Sequence, residues 1–437
     1  MEERDFDVIV VGSGVAGATA AYVAAKRGKG VLVIERGTSV GSKNMTGGRL
    51  YAHSLRGVID DYAGGEIEWG DIPFERKITH ERIAMMDASS AMTVDFTGEQ
   101  LAEAGRDSYA VLRAKFDPWL AGQAEQAGAE LVCGIAVEDL LKDSDGAVIG
   151  IKAGEDELTG KVVILAEGAN SLLAERALGN PRPKASQMAV GIKEVYELPP
   201  SSIEDRFLCP KGEGAAMMFV GDATHGNVGG GFMYTNKESI SIGLVATIED
   251  MAKSDTAITQ AMDDFKKHPL VAPMLRGAVL KEHSGHMVSE GGFDMIPRYA
   301  FDGCLIAGDA AFLMLNLGYT VRGMDFAIAS GRFAAEAACD AIDAGDVSEA
   351  GLATYRQKME NSFVIKDMRT FSKWPNVMAG WTSLFTDYPT MVGEIFTTMF
   401  TVDGTPAIPL KKRIMPIVKK RGVFKLLGEV RGALKAL

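Results

Sequence analysis

The chain has 437 residues, 47 % hydrophobic and 24 % charged, with a net charge of −12. That length exceeds one ordinary core and suits a dinucleotide-binding domain plus a second domain, and the composition is that of a folded protein. The acidic balance argues against nucleic acid as the main partner, because phosphate binding needs a basic surface.

Residues 6–11 are apolar and rich in β-branched side chains, which predicts a buried parallel strand. Gly12-Ser13-Gly14-Val15-Ala16-Gly17 follows, then a small-residue helix to about Lys26 and a second apolar strand over 31–34 that ends in Glu35. Gly12 permits the tight turn, Gly14 admits backbone to a pyrophosphate, and Gly17 lets the helix pack close to the strand. The helix N-terminus offers free N–H groups and the positive end of its dipole to the phosphates. Glu35 is placed to accept hydrogen bonds from the adenosine ribose and disfavours a 2′-phosphate, so the unit reads as binding FAD or NAD rather than NADP. Residues 8–25 carry no charge, long enough to suggest a membrane span. Three glycines interrupt that stretch and no basic segment precedes it, so no span is expected.

Two later segments favour FAD. Residues 162–166 form an apolar strand before Glu167-Gly168, and residues 304–307 form another before Gly308-Asp309-Ala310-Ala311, which reads as the opening of a helix. Open α/β sheets bind ligands at such strand ends. The Asp309 carboxylate suits the hydroxyls of a sugar-alcohol chain; by itself it reads equally well as a helix N-cap.

Cys133, Cys209, Cys304 and Cys339 lack CxxC spacing, which fits buried thiols in a reducing cytoplasm and offers no four-thiolate set for an iron–sulfur cluster. The six histidines form no Ser–His–Asp or HExxH pattern; His283 and His286, three apart, would share a helix face without a third ligand. The flavin is therefore expected to carry the chemistry. Residues 374–400 mix Trp381, Phe385, Tyr388, Met391, Phe396 and Phe400 with few charges. From residue 405 onwards, nine Lys/Arg stand against one Glu, which leaves −20 on the rest of the chain. That pattern fits an anionic membrane surface, an acidic partner subunit or a solvated helix.

The sequence resembles the FixC-type flavoproteins, relatives of electron-transfer flavoprotein:quinone oxidoreductase, and more distantly the geranylgeranyl reductases. The resemblance rests on the Gly12/Gly14/Gly17 loop with Glu35-Arg36-Gly37, Lys43-Asn44-Met45-Thr46-Gly47-Gly48-Arg49, and Leu112-Arg113-Ala114-Lys115-Phe116-Asp117. It continues through Ala166-Glu167-Gly168, Gly229-Gly230-Gly231-Phe232-Met233-Tyr234-Thr235, Gly308-Asp309, Asn316-Leu317-Gly318 and Arg322-Gly323-Met324-Asp325. Glu167 departs from the Asp common in the family but keeps the carboxylate.

The resemblance implies an α/β fold with a glutathione-reductase-type Rossmann FAD domain in mixed ββα layers, an inserted antiparallel β-sheet substrate domain and a helical C-terminal region. The expected boundaries are 1–85, 107–180 and 290–345 for the FAD part, 86–106 and 181–289 for the substrate part, and 346–437 for the helical region with its basic tail. It places FAD contacts on the matching residues, Val137 among them. Thr46, Gly47, Gly48 and Arg49 would lie near the isoalloxazine, Arg113 at the phosphates or ribityl chain, and Gly318, Arg322, Gly323 and Met324 at the pyrimidine side. It implies the FAD subunit of an electron-transferring complex, including the bifurcating kind, peripheral on the inner face of the cell membrane. The implied partners are electron-transfer flavoprotein α and β subunits, a ferredoxin-like iron–sulfur subunit and a membrane quinone, menaquinone or ubiquinone. The alternative is a prenyl-lipid reductase; those relatives carry a Trp-containing segment where this chain reads Gly231 to Thr235.

Overall fold

The computed structural model describes residues 4–45 and 48–437. Strand Phe6–Val11 is central in the first sheet, parallel to Val31–Glu35 on one side and to Asp156–Leu165 on the other. Glu130–Cys133 extends the sheet beyond Val31–Glu35, and Cys304–Ile306 beyond Asp156–Leu165, both parallel. The central residues Val8 to Val10, Val31 to Val33 and Val162 to Leu165 are all buried, as expected of a parallel strand covered on both faces. Asp139–Lys142 and Val148–Ala153 continue antiparallel from the first half of Asp156–Leu165.

Helix Val15–Lys26 buries every residue from Val15 to Ala25, so it lies inside the domain and not on its surface. Its Ala and Gly side chains let it pack closely against helices Arg113–Gln126 and Met324–Ala344. At the tightest crossing, a Cβ on Gly331 would collide with the Ala16 carbonyl.

The second sheet has nine strands, in the order Val279–Ser289, Met188–Glu197, Ser239–Thr247, Gly229–Thr235, Glu213–Gly221, Lys77–Met86, Ser108–Val111, Gly48–Tyr51, with Ala91–Thr97 paired to Lys77–Met86. It is antiparallel except where Glu213–Gly221 runs parallel to Lys77–Met86. That parallel pair corrects the wholly antiparallel expectation. The chain between the two strands passes through the first sheet, and such a long crossover permits a parallel neighbour where a hairpin would not. Gly48–Tyr51, Lys77–Met86 and Ser108–Val111, from stretches expected in the FAD part, likewise pair into this second sheet.

Helices Ala353–Asn361, Phe363–Thr370, Trp374–Gly380, Asp387–Phe400, Leu410–Arg421 and Val423–Ala436 complete a helical C-terminal region. Among the described residues, no helix is long and apolar enough to cross a membrane.

Candidate functional site

The C-terminal ends of the parallel strands converge on one rim. Gly12 takes a φ of +97°, and its N–H donates to the Ile34 carbonyl at 2.8 Å. A Cβ there would collide with the Ala166 carbonyl, and one on Gly17 would collide with the Gly12 carbonyl. The loop is therefore closed on the strand side. On its other side a Cβ on Gly14 would meet only Arg113 Nη2 at 3.7 Å and Asn44 Nδ2 at 3.8 Å, which leaves a cradle lined by donors. Behind it stands the N-terminus of helix Val15–Lys26, with Val15 and Ala16 in its first turn.

Glu35 braces the same loop. Its Oε2 accepts from Ser13 N at 3.0 Å and Ser13 Oγ at 2.9 Å, and its Oε1 accepts from Gly37 N at 2.6 Å. A carboxylate offers about four acceptor positions, so roughly one stays open for a ribose hydroxyl. Arg36 beside it is exposed. The loop carrying Val137 is tied to this turn, since Gly134 N donates to the Gly37 carbonyl and Ile135 N to the Glu35 carbonyl.

Arg113 opens helix Arg113–Gln126 and grips the fully buried Asp117 with two bonds, Nε to Oδ1 at 2.6 Å and Nη2 to Oδ2 at 2.7 Å. Asn44 Nδ2 also donates to Asp117. One buried carboxylate thus holds both donors over Gly14, and neither Asn44 nor Asp117 is marked as a site residue by its type or spacing.

At the second strand end, Ala166 N donates to the Val11 carbonyl, which docks the Glu167-Gly168 turn on the fingerprint. The Glu167 carboxylate caps helix Leu172–Leu178 by accepting from Leu173 N at 3.0 Å and Ala174 N at 3.1 Å. Burial pushes that carboxyl up, while these N–H groups pull it back down. Its main chain, not its side chain, borders the loop. Gly168 takes a φ of +78° and faces open space.

At the third strand end the expected helix is a single 3-10 turn, Gly308–Ala311. Gly308 and Phe312 both adopt left-handed backbone, with φ of +65° and +56°, which prevents the turn from continuing as a helix. Ser330 Oγ accepts from Gly308 N at 2.9 Å, and Ser171 Oγ donates to the Ala310 carbonyl at 2.7 Å. The Asp309 carboxylate takes no hydrogen bond among the described residues. Burial pushes it up against the pull of Arg113 and His286.

The far end of the rim is a small hairpin, Leu315–Asn316 with Val321–Arg322, that leads through Gly323 into helix Met324–Ala344. Met324 Sδ lies against Gly48, which joins this end to the second sheet. Thr46 and Gly47, expected here, lie outside the described residues. Arg49 donates to Ser108 Oγ at 2.9 Å and to Glu81, so its side chain turns into the second sheet. Arg322 donates to Asp325 Oδ2 from Nε at 2.8 Å and Nη2 at 2.6 Å, and to Asp367, so its guanidinium is committed to buried pairing. The Gly318 N–H donates to Asn316 Oδ1 at 2.9 Å and is already engaged; Gly318 itself faces open space. Two polar atoms of this region, Tyr51 Oη and Asp325 Oδ1, are buried without partners among the described residues. Buried polar atoms are normally satisfied, so this end suits a polar ligand edge.

The donor-lined cradle at Gly14, the unengaged Asp309 carboxylate and the open faces of Gly168 and Gly318 together fit a dinucleotide lying along the strand ends. His283 and His286 fall on strand Val279–Ser289, not on a helix. A strand sends residues three apart to opposite faces, and His283 contacts Glu194 while His286 acts on Asp309. Among the described residues no group of three or more His, Cys, Asp or Glu could hold a metal ion, and all four cysteines are free.

Two family models match: FAD dependent oxidoreductase over residues 7–175, and the ETF-QO/FixC family C-terminal domain over residues 374–437. The chain is 47 % identical over 427 residues to the protein FixC of Salmonella typhi, covering 98 % of each chain. It is also 47 % identical over 435 residues to a probable electron transfer flavoprotein-quinone oxidoreductase, YdiS, of Escherichia coli K12, covering 99 % of each. In fold it is similar to a geranylgeranyl bacteriochlorophyll reductase-like protein from Thermoplasma acidophilum, with a TM-score of 0.71 at 21 % identity over 95 % of this chain and 98 % of that one. It is similar too to a mutant of the halogenase PltM in complex with FAD, with a TM-score of 0.66 at 16 % identity over 90 % of this chain and 80 % of that one.

Proposed function

The chain belongs to the ETF-QO/FixC family of FAD-dependent oxidoreductases, and from that premise we propose that it is the FAD subunit of an electron-transferring complex. It takes electrons from the α and β subunits of an electron-transfer flavoprotein and passes them, with a small ferredoxin-like subunit, towards a membrane quinone, menaquinone or ubiquinone. The observation that supports this is the donor-lined cradle at Gly14, held by the Arg113–Asp117 pair, together with the open faces of Gly168 and Gly318 along the strand ends. FAD, when bound, supplies the redox chemistry; the protein positions it and sets its electrostatics.

Each residue then has a task. The main chain of Gly12 to Gly17, with the first turn of helix Val15–Lys26, receives the pyrophosphate, and Arg113 adds a fixed cation. Glu35 orients the ribose, with Arg36, Gly37 and Val137 around the adenosine end. Ala166, Glu167 and Gly168 contribute backbone, and Asp309 accepts from the ribityl chain. Gly48, Gly318, Gly323 and Met324 border the isoalloxazine end, and Arg49 and Arg322 brace it from behind through their pairs with Glu81, Asp325 and Asp367. The nucleotide part is of the glutathione-reductase type, and the second sheet is the acceptor side.

An apolar acceptor has a landing surface. Helix Asp387–Phe400 and the edge strand Ala91–Thr97 enclose a groove of about 530 Å³ lined by Met92, Val392, Phe396 and Phe400. Phe400 is 76 % exposed at its mouth, and Phe424 in the basic tail is 91 % exposed. Exposed apolar side chains interleaved with cations fit the surface of an anionic bilayer on the inner face of the cell membrane. The scattered cysteines support an iron–sulfur step on a ferredoxin-like subunit rather than on this chain. Full-length relatives in the FixC family favour this reading over prenyl-lipid reduction, because the Thermoplasma acidophilum likeness bears on fold alone.

Native purification tests the proposal. Electron-transfer flavoprotein subunits and a small iron–sulfur protein are expected in the native mass spectrum; reduction of a geranylgeranyl lipid by the chain alone would reverse the assignment.

A further inference from the structure

Glu290 follows directly on strand Val279–Ser289 at the hairpin end of the site. Its N–H donates to the Gln187 carbonyl at 2.7 Å, which fixes its backbone to the neighbouring strand's entry. Asn316 Nδ2 reaches both carboxylate oxygens, at 3.3 and 3.2 Å. The same side chain accepts from Gly318 N through Oδ1 at 2.9 Å. One carboxamide therefore links Glu290 to the hairpin turn whose other strand leads into Gly323 and Met324.

No ion pair reaches Glu290 among the described residues, although charged groups stand on the elements around it. Arg322 on the hairpin is held by Asp325 and Asp367, and Asp294 in the turn Gly292–Met295 is exposed. His286 on its own strand acts on Asp309, and Lys193 on strand Met188–Glu197 responds to Glu282 and Arg113. The following Gly291 packs against Met295 and Gln187, and Met295 shares a small apolar cluster with Met188. Burial pushes the carboxyl up to about 7, with the Asn316 bond pulling the other way. A carboxyl so poised changes its proton occupancy in response to a small change in nearby charge.

We propose that Glu290, acting through Asn316, takes up one proton from solvent when the bound cofactor gains negative charge on reduction, and returns it on reoxidation. This rests on reading the hairpin as the isoalloxazine end. The step makes and breaks only the carboxyl O–H bond, and the electrons are those of the family's own redox reaction. Glu290 is a positioning residue in this account: it couples protons to the cofactor through the hairpin and touches no substrate.

The test uses FAD-loaded holoprotein in a spectroelectrochemical titration at a series of pH values on either side of 7. The wild type is expected to show a bend in the slope of potential against pH near 7; Glu290→Gln removes it, and Glu290→Asp keeps a bend at a shifted pH. An unchanged bend in Glu290→Gln overturns the proposal. Should both variants lose FAD, the reduced-minus-oxidised infrared spectrum of wild-type holoprotein labelled in its glutamate carboxyls decides. A gain of protonated carboxyl signal on reduction supports the assignment, and no change refutes it. Retention of FAD by Gly17→Val would instead overturn the cofactor-site reading, so the two failures are distinguishable.

Discussion

At the nucleotide end of the site, the main chain sets the shape, braced by the Glu35 and Asp117 carboxylates. Gly12 closes on the Ala166 carbonyl, Gly17 on the Gly12 carbonyl, and Glu35 accepts from Ser13 and Gly37 amides. At the hairpin end, side chains hold one another: Arg49 binds Glu81, Arg322 binds Asp325 and Asp367, and Asn316 binds Glu290. The first arrangement tolerates almost no added atom on its strand side, and its carboxylates serve to fix backbone and the Arg113 cation in place. The second depends on charge pairs that are costly to break, and it can respond to a change of charge. That contrast matches the two tasks expected of a flavoprotein, a fixed handle for the nucleotide and a tunable shell around the ring.

The contrast can be broken most sharply at Arg322. Arg322→Ala leaves the Asp325 carboxylate, 1 % exposed, without its cation and is expected to lose about 3–5 kcal/mol of stability. Urea unfolding of the holoprotein reads this directly, and a loss below about 1 kcal/mol would show that the hairpin end is not held by this pair. Gly17→Val tests the other end. The clash with the Gly12 carbonyl is expected to weaken FAD binding by at least about 100-fold, near 2.7 kcal/mol, in a flavin-fluorescence titration. Wild-type affinity there would remove the steric argument for the nucleotide end.

Smaller effects sharpen the picture. Glu35→Gln keeps the shape but weakens the charge-assisted bonds to Ser13 and Gly37, and about 10-fold weaker FAD binding by calorimetry is expected. Glu429 accepts from Ser383 Oγ at 2.8 Å, Trp381 Nε1 at 3.2 Å and Tyr388 Oη, which docks the last helix on the aromatic segment. Glu429→Ala is expected to cost about 1–2 kcal/mol, confined to that helix. Hydrogen exchange should report faster amides over Val423–Ala436 with the nucleotide end unchanged.

The same contrast explains what the sequence discloses. The fingerprint loop, its strands and helix Val15–Lys26 are legible because backbone demands small residues at fixed spacing, and Glu35 follows at a distance set by one βαβ unit. The hairpin end is opaque because its pairs join distant positions. Arg322 and Asp367 lie 45 residues apart, and Arg49 and Glu81 lie 32 apart. No local period marks Glu290 or Asn316, and the strand under His283 and His286 is set by pairing with Met188–Glu197 rather than by its own pattern. The helix expected after Gly308 ended as a single turn because Phe312 takes a left-handed conformation that its residue type does not announce. Gly331 lies in an ordinary-looking helical stretch, and only its contact with Ala16 reveals why it is small.

The most direct test of the central claim is anaerobic mixing of the FAD-loaded protein with reduced electron-transfer flavoprotein, followed by a quinone analogue, while the visible absorbance of the bound flavin is recorded. Bleaching of the flavin is expected on the first addition and recovery on the second, both lost in Gly17→Val. A flavin that stays oxidised throughout, with electrons still reaching the quinone, would contradict that claim.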